Sequence, residues 1–254
     1  MLYSASRRTD MPAFYPDELV EKVIRSRKLD GIVMWTKDIR NLIQHNGLSN
    51  IITTVPTLVH YTVTGLAGSA WEPGVPALAV QLPALGELAE RLPRGALQWR
   101  FDPIIPDAGC IERFRRVKEQ LEQALLYELE SVTVSFPDPY RHAVVRTKKA
   151  GLDWPAVSLT EKKAVLAELA DVFRPLEEPL ALCCEPGLLS VPGVRQARCI
   201  DGALFSRLYG LDTGALKKDA GQRAACGCMQ STDIGSYSME CRHGCAYCYA
   251  GRAE

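Results

Sequence analysis

Between Met1 and about Leu208 the sequence alternates short apolar or β-branched runs with longer segments of helical periodicity. This alternation is typical of βα units, because each buried strand of a parallel sheet is followed by a helix that covers the sheet. Six runs are predicted strands: residues 1–5, 30–35, 50–63, 96–101, 131–136 and 179–183. The pattern therefore predicts an α/β fold, either a TIM-like barrel or a partial barrel of parallel strands.

The strand–helix rhythm stops beyond Leu211, where glycine, serine and cysteine become frequent. We therefore predict a βα barrel-like domain over residues 1–211. Residues 212–254 are predicted to form a cysteine-rich, cofactor-binding tail packed on the barrel. The stretch 65–86, rich in proline, glycine and alanine, is expected to be in part an extended surface loop.

The charge balance argues against indiscriminate nucleic-acid binding. The 254 residues include 30 basic and 30 acidic side chains, giving a formal net charge of zero, so any attraction to phosphates would need a local basic patch. Residues 1–10 contain arginines where a signal peptide would be apolar, and no apolar run is as long as a membrane span. We expect a cytoplasmic protein that does not enter membranes.

Polar side chains follow most of the predicted strands. If the strands form a barrel, these residues cluster at the mouth where such barrels hold their active sites. Each could instead be an ordinary loop residue that caps the next helix. As a group they favour a site, and they are Arg7, Arg8, Asp10, Trp35, Lys37, Asp38, Arg100, Asp102, Ser135, Asp138, Glu185 and Asp201.

The arginines of this set favour an anionic or carboxylate-bearing small molecule, because a guanidinium group binds such groups through two parallel hydrogen bonds. We assign catalytic or substrate-binding roles to six charged residues: Arg7, Arg8, Asp10, Lys37, Arg100 and Asp102. Cofactor contacts are assigned to Trp35, Asp138 and Glu185, with Trp35 as a stacking surface.

Five of the nine cysteines fall between Cys226 and Cys248. Three of them form the spacing Cys241-x3-Cys245-x2-Cys248, with Tyr247 directly before the last cysteine. In a reducing compartment this crowding indicates metal ligation rather than disulfides. Structural zinc usually takes four ligands in paired spacings. A three-thiolate loop is better suited to an iron–sulfur cubane with one open iron.

This triplet resembles the cluster motif of radical S-adenosylmethionine (SAM) enzymes. The resemblance implies a [4Fe-4S] cluster whose three irons are held by Cys241, Cys245 and Cys248, while the fourth iron takes the amino and carboxylate groups of SAM. In that family the cysteine loop follows the first strand, whereas here it lies near the C-terminal end of the sequence.

A second resemblance spans nearly the whole chain. The segments SASRRTDMPAFY, WTKD, RFDP and KDAGQR, together with Cys226-Gly-Cys228 and Asp233-Ile-Gly235, are similar to an uncharacterised bacterial family known as domain of unknown function 1848. That family has a C-terminal cysteine cluster similar to the radical-SAM cluster, and its name implies no reaction.

The remaining cysteines allow several interpretations. Cys226 and Cys228 could supply a fourth ligand to the same cluster, hold a second metal, or form a pair without metal. Cys183, Cys184 and Cys199 lie in or near predicted strands, where a buried cysteine commonly acts as a small hydrophobic residue.

Three functions are compatible with the sequence. The favoured one is a radical-SAM-like enzyme with a [4Fe-4S] cluster, an anionic small-molecule substrate and an electron donor. The second is a [4Fe-4S] electron carrier or sensor without SAM chemistry, in which Cys226 or Cys228 fills the fourth position. The third is a zinc-stabilised barrel hydrolase that uses the acidic side chains of Asp10, Asp102, Asp138 and Glu185.

Overall fold

The computed structural model of the chain describes residues 1–236 and 238–250. The chain divides into two compact units. The first unit comprises residues 1–62, 79–98 and 198–242, and the described residues of the second are 63–78, 99–197 and 243–250. The proposed boundary at Leu211 stays a prediction.

Eight strands of the described residues form a parallel sheet. They are β1 Leu2–Ala5, β2 Gly31–Thr36, β3 Thr57–Thr62, β4 Leu97–Phe101, β5 Val132–Val134, β6 Leu180–Leu182, β7 Val194–Gln196 and β8 Thr232–Asp233. Their order is β7-β6-β5-β4-β3-β2-β1-β8, so strands adjacent in sequence are adjacent in the sheet except at β8. The predicted α/β class is confirmed.

The predicted barrel, whether complete or partial, is not confirmed. Within the described residues β7 and β8 are the two edges of the sheet, and no pairing between them closes a ring. Both strands are short, with three and two residues, and β7 follows β6 through a 3-10 turn at Pro186–Leu188 rather than a helix. Edge strands of this length offer few hydrogen-bonding groups for closure.

Helices alternate with the strands. They are α1 Met11–Phe14, α2 Pro16–Arg25, α3 Arg40–Gln44, α4 Asn46–Thr54, α5 Leu82–Arg91, α6 Cys110–Leu125, α7 Arg141–Lys149, α8 Leu159–Asp171 and α9 Gly202–Tyr209. As the apolar spacing predicts, Phe114, Val117 and Leu121 are buried along one face of α6. No helix of the described residues is both long and apolar enough to cross a bilayer.

The run 50–63, predicted as one strand, contains two different elements. Residues 50–54 complete α4, and only Thr57–Thr62 forms β3. Ile51 and Ile52 are buried side chains of the helix. Pro56, which has no N–H to continue a helix, separates the two elements. The β-branched composition of the whole run concealed this boundary, because Ile and Thr favour strands only weakly once tertiary packing acts.

The second unit has an aromatic core. The Trp99 ring lies 4.9 Å from Phe114 and 6.3 Å from Phe173, and Phe101 meets Phe114 edge-on at 5.0 Å. These rings join β4, α6 and the end of α8 at spacings typical of favourable aromatic pairs. This packing fixes the strand from which Arg100 and Asp102 emerge.

Candidate functional sites

In the first unit, side chains from β2, from β3 and from the loop after β1 form a stack. Trp35 of β2 is in register with His60 of β3, and their rings stack with centroids 5.2 Å apart at 19°. The guanidinium of Arg7, two residues beyond β1, lies 5.4 Å from the centre of the Trp35 ring. His60 Nε2 donates a hydrogen bond to the Cys199 carbonyl oxygen at 2.6 Å. The predicted contact surface of Trp35 therefore holds Arg7 in a cation–π arrangement.

Buried cysteines surround Arg7. Its side chain is hydrogen-bonded to Cys228, and Cys199 and Cys226 lie within electrostatic range. Burial alone would lower the pKa of Arg7, but the cysteine sulfurs, Cys228 foremost, raise it above its ordinary value. Conversely, a hydrogen bond with Cys199 and burial raise the pKa of the Cys228 thiol. Arg7 therefore remains charged while Cys228 stays protonated at neutral pH.

Asp10 holds the loop after β1 to the end of β2. Its Oδ1 accepts a hydrogen bond from Ala13 N at 3.1 Å, which caps α1. Its Oδ2 accepts from Thr36 Oγ1 at 3.0 Å and from Lys37 N at 2.7 Å. Both oxygens thus have donors within the protein, and the assignment of Asp10 to a catalytic or substrate-binding role stays a prediction.

Three other charged residues lie at strand ends in the first unit: Arg8, Lys37 and Asp38. Asp38 accepts from Arg40 Nε at 2.8 Å and from Arg40 Nη2 at 2.6 Å. Lys37 and Arg8 are both partly exposed, and Arg8 N donates to Ser6 Oγ at 3.4 Å. Arg8 and Lys37 remain candidates for binding an anionic ligand.

In the second unit, two predicted site residues form an ion pair at the end of β4: Arg100 of the strand and Asp102 directly after it. Arg100 is buried, and Asp102 also accepts a hydrogen bond from the Ser135 hydroxyl at the end of β5. The Asp102 carboxylate holds the planar guanidinium group of the buried Arg100 in one orientation. This arrangement can orient an anionic group, with Asp102 as the positioning residue.

The two remaining acids of the second unit differ in surroundings. Glu185 accepts from Phe136 N at 2.9 Å and pairs with Lys162 Nζ at 2.6 Å. These contacts connect the end of β5 to α8, and they indicate a structural role for Glu185. Asp138 is exposed. The assignment of both residues to a cofactor stays a prediction.

The last part of the cysteine triplet forms a tight turn in the second unit. Cys248 N donates to the Cys245 carbonyl oxygen at 3.2 Å, and Ala246 N donates to the Trp71 carbonyl oxygen at 2.9 Å. Gly244, directly before the turn, has a φ of +63°, a left-handed conformation that favours glycine. The local sequence Gly-Cys-Ala-Tyr-Cys therefore specifies the turn that carries two of the three thiols.

Side chains on one face of α7 hold this turn by hydrogen bonds to the backbone carbonyl groups of the turn. Arg146 donates to the carbonyl oxygens of Ala246, at 3.3 Å, and Cys248. Thr147 Oγ1 lies 3.3 Å from the same Ala246 oxygen, and His142 Nε2 donates to the Tyr249 oxygen at 2.6 Å. Residues four positions apart on a helix lie on one face, so His142 and Arg146 reach the turn together.

Apolar side chains enclose the same turn. Cys245 and Tyr247 are buried in a cluster with Leu66, Val75 and Ile105, against which Ala67, Trp71, Trp154 and Cys248 pack. The Trp71 and Tyr247 rings lie 6.4 Å apart. The shell restricts water near the thiols, a property that strongly influences the behaviour of any metal group bound there.

A buried carboxylate lies beneath this shell. Glu72 is only 1% exposed and accepts hydrogen bonds from Thr64 Oγ1, at 2.7 Å, and from the Tyr247 hydroxyl. Burial, followed by the charge of Glu72, raises the pKa of Tyr247 well above its ordinary value. Tyr247 therefore stays neutral and acts as a hydrogen-bond donor.

Cys241 belongs to the first unit and is partly exposed. The backbone before it is fixed by Tyr15, whose hydroxyl donates to the Glu240 oxygen at 3.0 Å and accepts from Glu240 N at 2.9 Å. Across residues 1–236 and 238–250, no three or more His, Cys, Asp or Glu side chains stand together as a metal site.

Sequence patterns alone do not identify three residues of these sites: His60, Cys199 and Glu72. No spacing to other histidines in the sequence marks His60 as a metal ligand. Its position inside the otherwise apolar run of β3 was the available signal. Cys199 was treated as a small hydrophobic residue, although it contacts Cys228. Glu72 drew no attention because its loop is rich in glycine and proline; no sequence signal indicates its burial.

Comparisons with known proteins identify a family but no activity. The family model described as Domain of unknown function (DUF1848) matches residues 17–250. No curated protein matches the chain significantly. Among solved structures, a candidate alpha-L-fucosidase from Bacteroides thetaiotaomicron VPI-5482 is similar at 14% identity and a TM-score of 0.35. The match covers 66% of this chain and 57% of that protein, and a TM-score this low does not establish a shared fold.

Proposed function

The chain belongs to the DUF1848 family, and we propose that it is an iron–sulfur enzyme of the radical-SAM-like type. In this proposal Cys241, Cys245 and Cys248 hold a [4Fe-4S] cluster, and the substrate is an anionic small molecule. The observation that carries it is the turn Cys245–Cys248, which is enclosed by apolar side chains and held by α7. The preceding Cys241 completes the three-thiolate spacing.

The chemistry of the donor set fits such a cluster. Thiolates are the protein ligands of [4Fe-4S] clusters, and two thiols of the triplet project from one hydrogen-bonded turn. Trp71, Trp154 and Tyr247 provide the apolar surroundings that protect a cluster from solvent. Cys245 is buried and Cys248 is partly exposed, which allows one side of the turn to face a second reactant.

Arg146 supplies a compensating charge. Thiolate-ligated clusters carry net negative charge, and a guanidinium hydrogen-bonded to the carbonyls of Ala246 and Cys248 lies beside the ligating turn. The same hydrogen bonds keep the turn in one conformation before the cluster is bound. Arg146 is therefore a positioning residue in the proposal.

When bound and reduced, a cluster of this kind supplies the electron that cleaves SAM. The chain's own contribution is to bind and orient the reactants. In the first unit Arg7 is aligned on Trp35, and in the second unit Arg100 is aligned by Asp102. Each guanidinium presents donors to a carboxylate or another anionic group.

The experiment is anaerobic reconstitution with iron and sulfide, followed by incubation with SAM and a reductant. The product to be measured is 5′-deoxyadenosine, which forms only when SAM is cleaved reductively. We expect it with the unchanged chain and with Cys110→Ala, whose thiol lies at the start of α6 outside the triplet. We expect none with Cys248→Ala. A reconstituted, iron-containing chain that yields no 5′-deoxyadenosine would refute the enzymatic proposal and favour an electron carrier.

A further inference from the structure

We propose that Cys183 and Cys184 form a reversible thiol–disulfide site, in which a low-molecular-weight disulfide oxidises the two adjacent thiols to one intramolecular disulfide. The site lies wholly within the second unit, directly after β6. It does not depend on the proposed iron–sulfur function, because neither residue belongs to the cysteine triplet.

The two thiols are in contact and within reach of a reagent. Cys183 Sγ lies 3.8 Å from Cys184 Sγ, a hydrogen-bonding distance for sulfur. Both residues are partly exposed, whereas Cys110 and Cys199 are buried. A buried cysteine acts as a small hydrophobic residue, but thiol–disulfide exchange requires access to the sulfur. The vicinal pair has this access.

The backbone of Cys184 has a conformation that is uncommon for cysteine. Its φ is +60°, in the left-handed region that favours glycine. Cys183 N donates to the Val134 carbonyl oxygen at 2.9 Å, which ties the residue before Cys184 to β5. Residues held in such a conformation by their surroundings occur preferentially at functional sites.

Glu185 fixes the chain on the other side of the pair. Its side chain accepts a hydrogen bond from Phe136 N at 2.9 Å and pairs with Lys162 Nζ at 2.6 Å. Its carbonyl oxygen accepts from Leu188 N at 3.0 Å, within the turn that follows. Because both flanks are anchored, the sulfurs can approach to the roughly 2.05 Å of a disulfide bond by side-chain rotation.

The pair also borders a candidate site. Cys183 directly follows β6 and Ser135 directly follows β5, and the two strands pair in parallel. The carboxyl ends of neighbouring parallel strands lie at one edge of the sheet, so Cys183 and Ser135 are neighbours. The Ser135 hydroxyl donates to Asp102, which pairs with Arg100. Oxidation of the thiols therefore changes the surface beside the guanidinium that can orient an anionic group.

The exchange proceeds in two balanced steps. The thiolate of one cysteine attacks the disulfide of the reagent, whose S–S bond breaks, and a mixed disulfide forms while one small thiol leaves. The second cysteine then attacks the protein sulfur of the mixed disulfide and releases the other small thiol. The two cysteine protons end on the two released thiols, and two electrons pass from the cysteines to the reagent.

A disulfide between adjacent residues is readily reduced again. Consecutive Cα atoms are roughly 3.8 Å apart across a trans peptide, less than the roughly 4.4 Å or more that is usual for a disulfide. The resulting strain makes the bond labile, as in regulatory rather than structural disulfides. This property suits a site that alternates between its two states.

The test follows one peptide. Trypsin releases residues 164–195 as a single peptide, because Arg174 precedes a proline, and the peptide contains Cys183 and Cys184 as its only cysteines. The folded, reduced full chain is incubated with excess oxidised glutathione, alkylated with iodoacetamide, digested and analysed by mass spectrometry. We expect the peptide to lose two hydrogen atoms and to take up no alkyl group. Dithiothreitol should restore two thiols that can be alkylated.

Two single variants separate the steps. Cys183→Ser and Cys184→Ser cannot close the disulfide, and at least one of them should keep glutathione as a mixed disulfide. Cys110 is 2% exposed, and in the unchanged chain its peptide should still be alkylated. Circular dichroism must show that each chain is folded. A peptide 164–195 from the unchanged chain that takes up two alkyl groups, or that retains glutathione without closing its disulfide, would overturn the proposal.

Discussion

At the scale of single residues, two buried tyrosines show how a hydroxyl group can oppose or support folding. Tyr61 of β3 is 1% exposed, and its hydroxyl has no hydrogen-bond partner in the part of the chain that the structure describes. Tyr247 is buried as well, yet its hydroxyl donates to the Glu72 carboxylate. A buried polar group without a partner loses its hydration without compensation.

The first prediction concerns Tyr61→Phe, which removes this hydroxyl and leaves the ring. We expect the free energy of unfolding at pH 7 to rise by about 1 kcal/mol.

Burial, followed by the charge of Asp38, raises the pKa of Tyr61. An unfolded tyrosine releases its proton near pH 10, whereas Tyr61 in the folded protein keeps its proton at that pH. The free energy of unfolding therefore keeps its full value below about pH 10 and falls as the pH rises further. Tyr61→Phe should make this alkaline decline shallower, as measured by urea unfolding at pH 7 and above 10. A lower stability at pH 7 would contradict the prediction.

The second prediction has the opposite sign. Tyr247→Phe leaves the buried Glu72 carboxylate without one of its donors, and we expect a loss of roughly 1–3 kcal/mol in the free energy of unfolding. The matched control is Tyr140→Phe, since Tyr140 is 44% exposed, and it should change stability by less than about 0.5 kcal/mol. Urea unfolding of the metal-free chain measures both variants. Equal stabilities for the two would show that the Tyr247 hydrogen bond contributes nothing.

At the scale of elements, short helices and loops position the strand-end residues. Asp10 caps α1 and accepts from the residues at the end of β2, so one carboxylate joins two elements of the first unit. In the second unit α7 holds the cysteine turn through Arg146 and Thr147. In both cases a side chain satisfies backbone groups that regular secondary structure leaves unpaired.

The third prediction follows from these contacts of Asp10. Asp10→Ala removes a helix cap and two further hydrogen bonds, so we expect the free energy of unfolding to fall by about 2 kcal/mol. Asp10→Asn, which keeps an acceptor oxygen, should recover part of this loss. The control Asp153→Ala changes an exposed loop residue. Thermal unfolding gives the measurement, and an Asp10→Ala chain as stable as the control would contradict the prediction.

At the scale of the whole molecule, the sequence predicts the strand–helix succession because burial on both faces makes the strands of a parallel sheet apolar throughout. The strands β1, β2, β4, β5 and β6 were predicted close to their observed bounds. The strands β7 and β8 were missed because runs of two or three residues carry no periodicity. Whether the sheet closes into a barrel depends on these two edge strands. The hydrophobic pattern of the sequence does not show them, so it could not support the prediction of a barrel.

The candidate sites were predictable only where they are local in sequence. The spacing of Cys241, Cys245 and Cys248 is visible without a structure, because the three residues are close in sequence. One hydrogen-bonded turn carries the last two thiols. The contact of Cys199 with Cys228 depends on tertiary pairing between distant segments. Spacing alone could not identify it. The same limit applies to Asp10, whose hydrogen bonds with α1 and with the end of β2 are visible only in the structure.

The iron–sulfur cluster proposed for the cysteine triplet is tested most directly by the iron and sulfide content of the chain after anaerobic reconstitution. We predict about four irons and four sulfides per chain, as a [4Fe-4S] cluster requires. Cys245→Ala should lose most of both, because Cys245 is the buried thiol of the ligating turn, whereas Cys110→Ala should keep them. Full iron retention in a folded Cys245→Ala chain would contradict the claim.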